Sequence, residues 1–148
     1  MLRLICSFAM VLAGIALSGS ALAQSCPGKL IEVKPIRNAS GLKLAELQVY
    51  YNAATGKNCA RTMHSSATWG KYHHTEVLLQ TCKRENFSLR NGCSAPRLAL
   101  TDWGNFKYQA GPVSVYGKGR CVFSQGSIVT ISGGHATPHR VEISGHCG

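Results

Sequence analysis

Six histidines are the residues in this chain best suited to acid–base or metal chemistry: His64, His73, His74, His135, His139 and His146. His135 and His139 stand four apart, a spacing that on a helix would aim both imidazoles at one metal ion. Gly133, Gly134 and Pro138 argue against a helix there, so the spacing loses that meaning. His73 and His74 are adjacent and on a strand would point to opposite faces. Zinc needs three or four converging ligands, and the sequence aligns no such set. A nucleophilic triad lacks its parts too: Asp102 is the only aspartate and there is no G-x-S-x-G elbow. Ser132-Gly133-Gly134-His135 reads as a turn between strands. No catalytic residue, metal ligand or cofactor is assigned.

Binding chemistry is better represented. Trp69-Gly70-Lys71-Tyr72 and Trp103-Gly104-Asn105-Phe106-Lys107-Tyr108 each interleave aromatic, glycine and lysine. Exposed rings beside cations make stacking platforms for sugars, with lysine engaging an anionic group. The candidate ligand-binding residues are therefore Trp69, Lys71, Tyr72, Trp103, Lys107 and Tyr108. The plainer expectation for Trp69 and Trp103 is that they fill a small core. A third arrangement, Glu76 beside His74 with His139 or His146 and Arg61 or Arg140, supplies the residue types of a small basic ribonuclease. Any basic protein with six histidines could be read that way.

These groups must be positioned by a chain that reads as an export precursor. Arg3 precedes the apolar run Leu4–Leu17, and Ala21-Leu22-Ala23 forms a small-x-small cleavage site. The run is short for a bilayer span, so residues 1–23 are expected to be a signal peptide and residues 24–148 one domain, secreted to the periplasm or the medium. The processed chain holds fifteen Lys and Arg against six acids, a net charge of +9. That charge disposes the surface toward an anionic partner, an acidic polysaccharide or envelope surface, but the scattered placing of the basic residues better suits a merely soluble surface. Nucleic acid is not expected as a partner, and no transmembrane segment is expected in the processed chain.

Cys6 leaves with the signal, and Cys26, Cys59, Cys82, Cys93, Cys121 and Cys147 remain. An even count in a small exported chain predicts up to three disulfides rather than a zinc site, because no C-x-x-C pair is present. Six cysteines allow 15 pairings. Cys82–Cys93 is the local expectation, because it closes a polar excursion ending in a turn. Cys26 and Cys147 are expected to bond to each other or each to an inner strand.

Apolar residues alternate in short bursts between glycine and proline breaks. Leu42 and Leu44 share one parity while Leu47, Val49 and Tyr51 share the other, which predicts a bulge near Ala45-Glu46. A short helix over Leu42–Gln48 is the alternative. A turn over 52–56 leads to a strand over Asn58–His64. Further strands are predicted over Thr75–Lys83, Pro112–Tyr116, Arg120–Ser124, Ser127–Ser132 and Arg140–Ser144, the last with Val141 and Ile143 inward. The expected fold is all-β, a small antiparallel sandwich or barrel with up to three disulfides.

Two stretches carry a family resemblance: Tyr51-Asn52-Ala53-Ala54-Thr55-Gly56-Lys57-Asn58-Cys59-Ala60, and Tyr108 to Val122 with its Gly117-Lys118-Gly119-Arg120-Cys121 turn. Together with the terminal Cys26 and Cys147 they resemble the small secreted spore-associated protein A family of actinobacteria, over roughly Leu42 to Gly148. The resemblance implies export and a compact cysteine-linked domain, and no reaction. The reading is a non-catalytic binding or structural protein at the envelope or outside the cell. The alternatives are a small secreted nuclease and a secreted enzyme inhibitor presenting loop 82–93.

Overall fold

Lys43–Asn52 shows how this sequence builds its sheets. Leu47 and Val49 are fully buried on one face, while Glu46 and Tyr50 look outward. Leu44 and Ala45 are both buried, because one extra residue at Leu44 bulges opposite Ile36 and Arg37 of the neighbouring strand. The parity change foretells this bulge, which lies one residue before the expected Ala45-Glu46. Strand, not the alternative helix, wins over Leu42–Gln48.

The structure, a computed structural model, describes residues 24–148; the expected signal peptide, residues 1–23, lies outside the described residues. Ten strands follow in order: β1 (Lys29–Arg37), β2 (Lys43–Asn52), β3 (Lys57–His64), β4 (His73–Cys82), β5 (Phe87–Ser88), β6 (Gly92–Cys93), β7 (Arg97–Phe106), β8 (Gln109–Tyr116), β9 (Cys121–Ser132) and β10 (His135–Gly145). One antiparallel sheet has the order β1-β2-β3-β8, the other β10-β9-β4-β7, and β5-β6 is a separate small hairpin. The protein is all-β, with two packed antiparallel sheets and three disulfides.

The main core lies between the sheets, with Leu47, Ala60, Val77, Leu79, Val122 and Ile143 near its centre. A continuation holds Ile36, Leu44, Ala45 and Ile128. Buried hydroxyls in this core are all bonded to backbone, as burial demands. Thr62 Oγ1 donates to the Glu76 carbonyl at 2.8 Å and Thr81 Oγ1 to the Tyr116 carbonyl at 2.6 Å, each crossing from one sheet to the other.

Several expected boundaries shift. Arg120–Ser124 and Ser127–Ser132 are one strand, β9, running through Gln125-Gly126. Gly126 does not break it, because glycine is what the close approach of Thr62 and Leu47 permits there. Pro138 sits inside β10 rather than separating strands, and β10 is an edge strand where a missing N–H costs no ladder bond. The Gly117-Lys118-Gly119 turn returns the chain to the opposite sheet: β8 pairs with β3, and β9 with β4 and β10. Strands β1 and β7 escape the periodicity reading because both are edges with largely exposed residues.

The disulfides are Cys26–Cys59, Cys82–Cys93 and Cys121–Cys147. The local pair forms as expected, and each terminal cysteine bonds to an inner strand, β3 and β9 respectively. Cys82–Cys93 anchors the β5-β6 flap over the outer face of the second sheet. Phe123, Leu78 and Phe87 make a small cluster beneath it.

Candidate binding surface at one end of the sandwich

The outer face of the second sheet is half covered by this flap and half open. In the open half, the register aligns Arg140, Ser127, Glu76 and Trp103 in one row across β10, β9, β4 and β7. Beyond it Pro138 pairs with Val129 and His74 with Asn105. Trp103 is exposed and lies against His74, ring centroids 5.9 Å apart. Ser127 Oγ donates to Glu76 Oε2 at 3.4 Å.

Beyond these pairs the sheet ends in a loop, residues 65–72, that carries the chain from the first sheet to the second. Ser65 N–H donates to the Leu44 carbonyl at 2.9 Å, and Gly70 N–H to the Lys107 carbonyl at 2.9 Å. These bonds lock the loop against the start of β2 and the β7–β8 turn. That arrangement packs Trp69 against Tyr108, centroids 4.9 Å apart and rings tilted by 51°, and sets Lys107 Nζ 4.8 Å from the centre of the Tyr72 ring. Such a cation–ring contact favours a charged lysine held at the surface. A cleft of about 360 Å³ runs between Tyr72, His73, His74, Asn105, Val129 and Ile131.

Of the six sequence-derived candidates, Trp69, Tyr72, Lys107 and Tyr108 are thus brought into contact as two pairs. Lys71 lies exposed in the same loop, and Trp103 stands on the adjoining sheet face. The core-filling expectation for the two tryptophans is wrong. Trp69 lies in a crossing loop and Trp103 points outward from an edge strand, so neither reaches the space between the sheets. Sequence reasoning overlooked Ile131, whose outward parity is legible only when β9 is read through Gly126.

The six histidines do not gather at one point, though His64 and His73 meet edge to face with ring centroids 5.7 Å apart. His64 is buried beneath the loop, with Nε2 2.8 Å from Thr75 Oγ1 and Nδ1 3.4 Å from the Thr68 carbonyl. Burial depresses its pKa below the ordinary histidine value, and the charge of nearby His73 adds to this, against the bonds from Thr68 and Lys107 backbone. His73 Nδ1 lies 3.2 Å from the Val129 carbonyl. His139 turns inward to Thr130, and His146 pairs with Glu32. Among the described residues no three His, Cys, Asp or Glu side chains gather where a metal ion could sit.

Two other features compete for attention. On the outer face of the first sheet, Arg61, Gln48 and Tyr50 form a bonded network that continues to Glu46 and Lys43. Burial pushes the Glu46 carboxyl upward. Bonds from Lys43 and Gln48, with the charges of Lys43 and Arg61, outweigh it and hold the group below its usual value. Every acceptor there is already engaged, which marks a structural network. A second hollow, about 320 Å³, lies among Ile31, Tyr51, Asn58, Gly117, His146 and Gly148, and holds none of the six candidate ligand-binding residues.

No family model, curated protein or solved structure matches this chain.

Proposed function

We propose that this is a secreted, non-catalytic binding or structural protein that holds an anionic polysaccharide or another anionic surface of the cell envelope. The observation that carries the reading is the exposure of paired aromatics and lysines, Trp69 on Tyr108 and Lys107 on Tyr72, at one end of a disulfide-linked framework. Large rings left in water are costly unless something covers them, and lysine beside them selects a negative charge. Three disulfides suit an oxidising compartment, and no helix among the described residues is long and apolar enough to cross a membrane. The kinship with the spore-associated protein A family belongs to the same proposal. It rests on the two motifs around Cys59 and Cys121.

The test is retention of the purified processed protein on acidic glycans and envelope fractions. Retention is expected at low salt and its loss at high salt, where charges are screened. No retention at low salt refutes the reading. A second reading, a small basic nuclease, draws on one observation: His74, Glu76 and Arg140 share the open face beside Trp103. Incubation with RNA and DNA decides it, because cleavage that vanishes in His74→Ala would displace the binding reading.

A further inference from the structure

We infer that the end of the sandwich bearing Trp69 and Tyr108 is a lipid-docking surface that seats on an anionic bilayer. The inference rests on the proposed envelope-binding role and names the surface that is met. Four connections meet at this end: residues 38–42, the 65–72 loop, the β7–β8 turn and the 133–134 hairpin tip. The 65–72 loop is bonded to Leu44 at the start of β2 and to Lys107 in the β7–β8 turn, and His73 lies against the Val129 carbonyl of β9, so the loop is tied to both sheets at this end. From that rim Leu42, Trp69, Tyr72, Tyr108 and Ile131 stand 52%, 50%, 69%, 44% and 75% exposed.

The charges around them have one sign. Arg37, Lys43, Lys71 and Lys107 lie in the segments 37–43, 65–74, 105–109 and 129–138, and those segments contain no aspartate or glutamate. Lys43 is shared with Glu46; among the described residues Lys71 and Lys107 have no acidic partner. Apolar tips inside a cationic collar match an anionic bilayer, whose headgroup layer accepts Trp and Tyr rings and whose phosphates attract lysine. Leu42 and Ile131 decide between bilayer and glycan. A hydroxyl-rich polymer offers branched aliphatic side chains nothing, whereas the boundary of the acyl layer gains from covering them.

The experiment is sedimentation of the processed protein with vesicles of phosphatidylcholine alone, or of phosphatidylcholine mixed with an equal amount of phosphatidylglycerol. Binding is expected to the mixed vesicles and to weaken in high salt. Trp103→Phe leaves Trp69 as the sole indole, and brominated lipid should quench it. Lys71→Ala and Lys107→Ala should each lower partitioning about fivefold, while Lys118→Ala, on the opposite turn, should leave it unchanged. No sedimentation with mixed vesicles at low salt overturns the inference. So does binding in which Trp69 stays unquenched or Lys118→Ala weakens it equally. Retention on acidic glycan without vesicle binding overturns the lipid surface and leaves the envelope-binding role standing. Loss of both overturns both.

Discussion

Replacing Gly126 with alanine tests how closely the two sheets meet. A Cβ at this position would stand 2.6 Å from Thr62 Oγ1 and 3.0 Å from Leu47 Cβ, atoms at or next to the backbone of fully buried residues with little room to retreat. Overpacking of this kind costs about 1–3 kcal/mol. If Thr62 rotates away instead, its bond to the Glu76 carbonyl is lost, at about 1 kcal/mol. Alanine regains about 0.5–1 kcal/mol through the smaller conformational freedom of the unfolded chain. The net expectation is destabilisation by about 0.5–2 kcal/mol, read as a lower urea midpoint at unchanged slope with disulfides intact. The double variant with Thr62→Ala should be less destabilised than the sum of the singles, because removing Oγ1 makes room for the methyl. A Gly126→Ala protein as stable as the parent, or strict additivity with Thr62→Ala, would refute the close-contact account.

The disulfides should differ in worth. Closed spans of 33, 26 and 11 residues give about 3.7, 3.5 and 2.8 kcal/mol in the chain-entropy treatment for Cys26–Cys59, Cys121–Cys147 and Cys82–Cys93. Paired Cys→Ala variants compared by thermal melts should rank in that order, with the last affecting mainly the flap. Burial lowers the His64 pKa in the folded state, so the unfolded chain binds the extra proton first. The neutral imidazole's contribution is fully present above about pH 6.5 and is lost as pH falls through that unfolded value, with a slope of at most about 1.4 kcal/mol per pH unit. Denaturation measured from pH 8 to pH 5 should show this decline in the parent, and His64→Gln should flatten it; an equally steep His64→Gln curve contradicts the assignment. Trp103→Ala, which removes an exposed side chain, should change stability by about 0.5 kcal/mol or less. A loss of several kcal/mol would mean that the indole is packed after all.

The features legible in the sequence were local ones. Alternation within β2 and the tail of β10 marks which residues turn inward, because the two-residue period of a strand is a property of the backbone itself. The parity switch at Ala45-Glu46 announces a bulge for the same reason, and the structure places it at Leu44. The spacing of Cys82 and Cys93, eleven residues with a turn between, suffices to suggest their bond. Edge strands are harder. In β7 and β1 both faces are largely exposed, so no alternation records them, and only their partners β4 and β2 define them as strands.

The six cysteines of the described residues, the all-β class and the aromatic–lysine stretches were determined by residue types and their immediate neighbours. Tertiary structure alone decided that the 117–119 turn crosses between layers, that Trp69 and Trp103 face water, and that four connections share an acid-free rim. Those facts depend on which strands become edges and which sheet each return joins. That choice is made by the summed burial of distant side chains, such as Leu47 against Gly126, and leaves no trace in any single short window of sequence.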